Sequence, residues 1–164
     1  MQEIFLGLGT NSGIRIKNLA LAREKLGFLP LKVIGLSPVY ESEPWGFRSP
    51  GKFLNQVIEI DSDLQPGELL RHIKQVEQEM GRKESGIRYT DRIIDIDILF
   101  YGSEMISFSD LVIPHPLLHR RRFVLKPMSD LSPGFVHPVF DRKISNLLDE
   151  CEDDNSSPEI FDPK

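Results

Sequence analysis

From Glu3 to Gly102 the hydrophobic pattern changes period in a fixed order, strand, helix, strand, strand, helix, strand, and that order limits the folds open to the chain. EIFLGLG, Glu3 to Gly9, is apolar almost throughout and is expected to be a central strand that runs into the GTNSG loop. Asn18 to Gly27 carries Leu19, Ala22 and Leu26 at helical spacing, with Gly27 as a C-terminal stop. LKVIGLSPVYESEP is expected as one strand running out at Pro44, WGFRSPGK as an ordered surface loop, and FLNQVIEID as the next strand, with polar Asn55 near its start. Pro66 opens a second helix with Leu69, Ile73, Val76 and Met80 on one stripe and Gly81 at its end. The order β-α-β-β-α-β is the signature of a ferredoxin-like α+β sandwich, an antiparallel sheet with helices on one face. Additional C-terminal strand and helices are expected beyond it: a short strand near Leu111 to Ile113, a helix near Val124 to Leu131 and a turn around Ile144 to Leu148.

The last strand, DRIIDIDILFYG, Asp91 to Gly102, carries an anomaly. Residues two apart share a face of a strand, so Ile94, Ile96 and Ile98 form one row while Asp95 and Asp97 stand together on the other, roughly 6.5 Å apart. Two carboxylates on a largely buried strand repel each other and lose hydration, so a cation, arginines or both must face them. Just upstream, Arg82, Lys83, Arg88 and Arg92 outnumber Glu84 and Asp91, giving a loop of net +2 that contains Gly86. Basic loop and paired acids together suit an anionic ligand that brings its own metal, with a Mg²⁺-nucleoside triphosphate the best fit. A buried Arg-Asp network without a ligand is the other reading of the same residues. IPHPLLHRRRF adds His115, His119, Arg120, Arg121, Arg122 and Phe123, suited to phosphate contacts and to stacking on a flat ring, although Arg120 and Arg122 read as an exposed helix turn. GLGTNSG lacks both the P-loop Lys-Ser/Thr and the G-x-G-x-x-G spacing, so its glycines are expected to make a tight turn beside a ligand or loop.

Composition bounds the rest. The 164 residues, 40% hydrophobic and 27% charged, fit one domain with a full core. The formal charge of −5 is concentrated at one end: seven acids against one base from Asp149 onward leave the first 148 residues near +1. The expected division is therefore a domain over 1–148 and an acidic, flexible tail over 149–164 without a catalytic role. Cys151 is the single cysteine, no apolar run approaches a membrane span, and no basic stretch precedes the first strand, so a cytoplasmic chain without a membrane partner is expected.

Taken in order, GLGTN at Gly7 to Asn11, SEPWG at Ser42 to Gly46, FLNQV at Phe53 to Val57, EQEMGR at Glu77 to Arg82, RIIDIDILFYG at Arg92 to Gly102 and PHPLLHRRRFVLKPM at Pro114 to Met128 resemble the 6-hydroxymethyl-7,8-dihydropterin pyrophosphokinase family. The resemblance spans Ile4 to about Pro133. It implies transfer of pyrophosphate from ATP to the hydroxymethyl group of the dihydropterin, releasing AMP, in folate biosynthesis. It further implies that Asp95 and Asp97 hold two Mg²⁺ ions and that Arg82 and Arg92 steady the phosphates. Lys74, Glu77, Tyr89, Arg92, Ile98, His115 and Arg121 would contact ATP. Ser42, Glu43, Trp45, Phe53, Asn55 and Phe123 would hold the pterin, with Phe53 and Phe123 on its two faces. The Trp45 loop and the Arg82 to Arg92 loop are expected to close over the substrates. Glu84, Tyr89 and Pro116 depart from the family's commoner residues. The expected partners are these two small molecules, with the chain acting as a monomer. An RNA-binding module of the same element order is disfavoured, because its base-stacking strand would here present an acidic row to a phosphate backbone. A nucleotide-sensing domain with the same site but no turnover remains the other alternative.

Overall fold

The computed structural model describes residues 2–82, 91–153 and 157–163. Its elements are β1 (Ile4–Thr10), α1 (Arg15–Leu26), β2 (Leu31–Leu36), β3 (Tyr40–Ser42), β4 (Phe53–Ser62), α2 (Pro66–Glu79), β5 (Asp95–Tyr101), β6 (Ile106–Ser107), β7 (Val112–Ile113), α3 (Arg122–Leu131), β8 (Val136–His137), β9 (Arg142–Lys143), α4 (Ile144–Glu150) and β10 (Glu159–Ile160). The main sheet runs β10-β3-β4-β1-β5, with β2 also paired to β4, and every pair is antiparallel. The central position of β1 follows from its composition: Ile4, Phe5 and Leu6 are fully buried, as a strand covered on both faces requires. No helix among the described residues is long and apolar enough to cross a membrane.

The expected strand LKVIGLSPVYESEP divides into β2 and β3. Pro38 has no N–H for the ladder. Ser37 spans the break instead, donating its N–H to the Val57 carbonyl at 2.9 Å while its Oγ accepts the Val57 N–H at 3.0 Å. The first helix starts at Arg15 rather than Asn18, because the Asn18 amide donates back to Thr10 Oγ1 (3.1 Å) and the Ser12 carbonyl (2.8 Å) from inside the first turn. Pro66 and a Gln65–Glu68 capping box start α2 as expected.

The two helices of the β-α-β-β-α-β order share one face of the sheet, as expected, and the additional C-terminal helices cover the other. Leu6, Leu8, Ile96 and Ile98 pack with Leu19, Ala22, Leu26, Leu69, Ile73 and Val76 of α1 and α2. Phe5, Val57, Leu99 and Phe100 point the other way, onto Leu125, Met128, Ile144 and Leu147 of α3 and α4. A register shift between Phe5 and Leu6 in the β1–β5 ladder puts consecutive Leu99 and Phe100 on this second face, as one extra residue in a strand does.

The expected boundary at 148 falls inside α4. The fourth helix continues to Glu150, and Cys151 is buried in the second core. Arg122, read as an exposed turn residue, donates to the Cys151 carbonyl, and its N–H donates to Asp153 at 3.0 Å. Residues 159–160 add β10 to the sheet, and Phe161 packs against the first core. The acidic composition concealed Phe161, whose ring packs on the first core while Ile160, 66% exposed, pairs with Tyr40 through its backbone.

Buried His137, 2% exposed, sets an acid limit on stability. Its Nδ1 accepts the N–H groups of Val139 (3.2 Å) and Phe140 (3.4 Å), which fixes the neutral tautomer with hydrogen on Nε2. Burial, and then the neighbouring His119, lowers its pKa to about 4. The unfolded chain therefore binds the extra proton first, and stability present above pH ~6.5 is lost as pH falls toward 4, by roughly 2–3 kcal/mol. Urea titrations at pH 7 and pH 4.5, compared with His137→Gln, test this; the same pH slope in both proteins would assign it elsewhere.

Candidate functional site

On the second face, before α3 reaches the sheet, a cavity of about 250 Å³ opens over the ends of β1, β4 and β5. Its floor explains the glycines of GLGTN. Gly7 stands opposite Asp97 and Gly9 opposite Asp95 in the ladder, so each carboxylate has no side chain beside it on β1. A Cβ at Gly7 would come within 3.3 Å of Leu99, and one at Gly9 within 3.4 Å of the Asn55 amide oxygen. These glycines clear a floor within a strand, which corrects the expected tight turn; within GLGTNSG it is Gly13 that has a positive φ, 69°.

The two aspartates stand in different surroundings. Asp95 accepts from Arg82 at 2.7 Å and from Arg92, so the Arg-Asp network inferred from sequence is present at this carboxylate. Asp97 faces the His115 imidazole, Nε2 to Oδ2 3.8 Å, beyond hydrogen-bond distance. Burial in the cleft and then the Asp95 charge raise its pKa to about 7, with Arg121 acting in the opposite direction. Its side chain keeps 39% of its exposure, but the exposed part faces a walled cavity, so loss of hydration still dominates. His115 is held neutral, its pKa lowered to about 4 by burial and then by Arg121. The pair is therefore a dipolar contact at neutral pH and not an ion pair. The His115 Nδ1 accepts the Leu117 N–H at 3.2 Å, which leaves the Nε2 hydrogen pointing toward Asp97.

Beneath Asp95 lies Glu77 of α2, 2% exposed. It accepts the Ile96 N–H at 2.8 Å, Lys74 at 3.4 Å, and Arg82. Burial raises its pKa against the pull of Arg82, the Ile96 N–H and Lys74. Burial alone would lower the Arg82 pKa, but Asp95 and Glu77 outweigh it and raise it. Arg82 thus bridges α2 to β5.

The opposite wall is aromatic and polar. Ser42, Glu43, Trp45, Phe53, Asn55 and Phe123 line the cavity together with Arg92, Asp95, Asp97, His115 and Arg121. Asn55, 6% exposed, donates to Ser42 Oγ at 2.8 Å across the β3–β4 pair. The Arg121 guanidinium lies over the Trp45 ring at 4.6 Å and near Phe123 at 5.8 Å, and Phe47 meets Phe53 edge-on at 6.0 Å.

Eleven of the residues expected from sequence therefore meet in one cavity. Lys74, Glu77, Arg82 and Ile98 are outside its lining; Ile98 is 5% exposed and packs on the helix side of the sheet. Tyr89 lies outside the described residues, as does most of the loop expected to close. Asn11 was missed. It is 7% exposed and its amide donates to Asp91 Oδ1 (2.7 Å) and the Gly51 carbonyl (3.2 Å), while its oxygen accepts the Arg92 N–H (2.7 Å). Ser49 donates to the same Asp91 oxygen at 2.6 Å, so the strand end at Asn11 fastens the Trp45 loop to the residues preceding β5. The one signal for this was an amide side chain placed directly after an apolar strand.

The profile of the family described as 7,8-dihydro-6-hydroxymethylpterin-pyrophosphokinase (HPPK) matches residues 5–133. The chain is 42% identical over 150 residues to the 2-amino-4-hydroxy-6-hydroxymethyldihydropteridine pyrophosphokinase of Aquifex aeolicus, covering 92% of each protein. It is 38% identical to the folic acid synthesis protein fol1 of Pneumocystis carinii, where the match covers 96% of this chain but 21% of that one. Among solved structures, a Plasmodium falciparum HPPK-DHPS chain superposes with a TM-score of 0.74 at 17% identity, covering 91% of this chain and 44% of that one. That likeness concerns the fold.

Proposed function

The chain belongs to the 7,8-dihydro-6-hydroxymethylpterin-pyrophosphokinase family, and on that premise we propose how its residues divide the work of the reaction. The enzyme transfers pyrophosphate from ATP to 6-hydroxymethyl-7,8-dihydropterin, giving the pterin diphosphate and AMP, in folate biosynthesis. The observation that carries the assignment is the aspartate row of β5 on the floor of a cavity with arginines on one side and flat aromatic walls on the other.

The residues fit Mg²⁺. Asp97, its pKa raised to about 7 beside Asp95, is a carboxylate that a divalent cation would draw into its charged form. Asp95 and Asp97 present two carboxylates to the cavity, which suits an ion that takes one or two carboxylates and leaves positions for water and phosphate oxygens. Asp95 and Asp97 would hold two such ions. When bound, they would neutralise the triphosphate and make the substrate hydroxyl more acidic.

The chain's own groups do the rest. A cation at Asp95 would compete with Arg82 and Arg92 for its oxygens, and the guanidiniums so freed would serve phosphate oxygens of the triphosphate. Arg82 stays tethered to Glu77, so it turns without leaving the site. Lys74, at the exposed end of the same ion-pair chain, extends positive charge along α2 toward ATP. The neutral His115 offers a hydrogen-bond donor, and Arg121 a fixed charge, at the edge shared by both substrates. Asn55 and Ser42 present an amide and a hydroxyl to the polar edge of the pterin, and Phe53 and Phe123 offer faces for its ring. Tyr89 and Ile98 complete the proposed ATP contacts, Ile98 through its backbone because its side chain faces the core. Action as a monomer in a cytoplasmic setting is part of the same proposal.

Incubation with ATP, Mg²⁺ and the hydroxymethyl dihydropterin should release AMP in step with pterin diphosphate, followed by chromatography. ADP in place of AMP would mean a single phosphoryl group is transferred. Absence of both would favour the nucleotide-sensing alternative.

A further inference from the structure

We propose that Arg15, outside the cavity, positions the pterin pocket, and that the strand β10 with Phe161 holds Arg15 in place. The inference rests on the pterin placement given above. Arg15 opens α1 and is 25% exposed. One arm of its guanidinium pairs with Glu41 Oε2 at 2.7 Å, and the other donates to the Lys52 carbonyl at 2.9 Å. Glu41 immediately precedes Ser42, and Lys52 immediately precedes Phe53. Ser42 and Phe53 are direct partners in the β3–β4 ladder, and Asn55 bonds Ser42 across it. A single planar group thus fastens both strands one residue before each begins to contribute to the pterin wall. The planar five-donor fork is what permits this, since one side chain must serve a carboxylate and a carbonyl at once.

The third face of Arg15 meets the tail. Its Cζ lies 5.7 Å from the centroid of the Phe161 ring. The Phe161 N–H donates to the Val39 carbonyl at 2.8 Å, and Ile160 pairs with Tyr40, so β10 lies along the outer edge of β3. Glu159 falls directly opposite Glu41 in that ladder. Like charges directly opposite destabilise a strand pair. Arg15, bonded to Glu41, supplies the charge that offsets this repulsion, and the strand in turn keeps Phe161 over Arg15. Neither residue lines the cavity, so both act through β3 and β4 and are positioning residues.

The test is the split between the two Michaelis constants, each measured with the other substrate saturating. Arg15→Ala should raise KM for the dihydropterin roughly fivefold to tenfold, with KM for ATP within about twofold of wild type, the effect of displacing one wall and not the chemistry. Phe161→Ala should shift the same constant in the same direction by about threefold, and Phe161→Tyr, which keeps the ring, should restore it. Phe161→Ala also carries the test if Arg15→Ala does not fold. Unchanged constants in folded variants, or an equal rise in both constants, would overturn the proposal, whatever the change in Tm. Asn55→Ala, assayed in parallel, separates the two levels. If it raises the pterin KM and Arg15→Ala does not, the positioning role fails alone; if Asn55→Ala leaves that KM unchanged, the pterin placement fails and this inference with it.

Discussion

Asp97→Asn should abolish pyrophosphoryl transfer without harming the fold. The amide keeps the size of the side chain and removes the charge that would hold a divalent cation on the phosphate side of the site. Charge stabilisation of that kind is worth several kcal/mol in a transition state, so turnover should fall by at least about 10³-fold. Stability runs the other way. The folded pKa of Asp97 is raised to about 7, mainly by burial and then by Asp95, against an ordinary carboxylate value near 4 in the unfolded chain. The folded protein therefore binds the extra proton between those values, and Asp97 costs stability above pH 7 and ceases to do so as pH falls toward 4. Because the side chain is still 39% exposed, the cost is on the order of 1 kcal/mol. Without Mg²⁺ or nucleotide at pH 8, Asp97→Asn should melt at or slightly above the wild-type temperature. The difference between the two proteins should shrink at pH 5, and taking that difference cancels the opposing titration of His137. A variant that unfolds would mean that Asp97 is a structural partner and not a ligand in waiting.

The aspartate row was legible because a period-two pattern with charges inside it has few physical solutions. Asp95 and Asp97 had to face cations, and two arginines do face Asp95. The pterin wall was legible only through family resemblance, since Ser42, Phe53 and Asn55 look like ordinary strand residues until β3 and β4 are paired. Asn11 and Arg15 were hidden for a related reason. The partners of Asn11 are 40 to 81 residues away, and those of Arg15 are 26 to 146 away, so neither makes a local pattern. Glu77 was placed with ATP, whereas its carboxylate lies under β5 and reaches the site through Arg82. Seven acids dominate the composition from Asp149 onward and hide contacts that depend on Cys151, Phe161 and the backbone of β10.

Asp95→Asn should stop turnover as fully as Asp97→Asn and yet lower stability, although the two residues are neighbours on one face of one strand. Asp95 accepts from Arg82 and Arg92, each about one-fifth exposed, so its charge is compensated. The amide keeps one neutral acceptor oxygen where the carboxylate offered two charged ones, so one of the two arginines meets an NH2 group and the other loses its charged partner at Asp95, with Glu77 remaining to Arg82. Charge-assisted bonds of this kind contribute about 1.5–3 kcal/mol each when buried. With partial exposure the net loss should be about 2 kcal/mol, or roughly 5 °C in Tm for a domain of this size. Calorimetry of the two variants beside wild type, at pH 8 and without ligand, makes the comparison direct. Equal Tm losses would mean that both carboxylates belong to a structural Arg-Asp network. Opposite signs would mean that the protein tethers its arginines at Asp95 until ATP arrives and holds Asp97, its charge disfavoured by burial and then by Asp95, for the cation that comes with it.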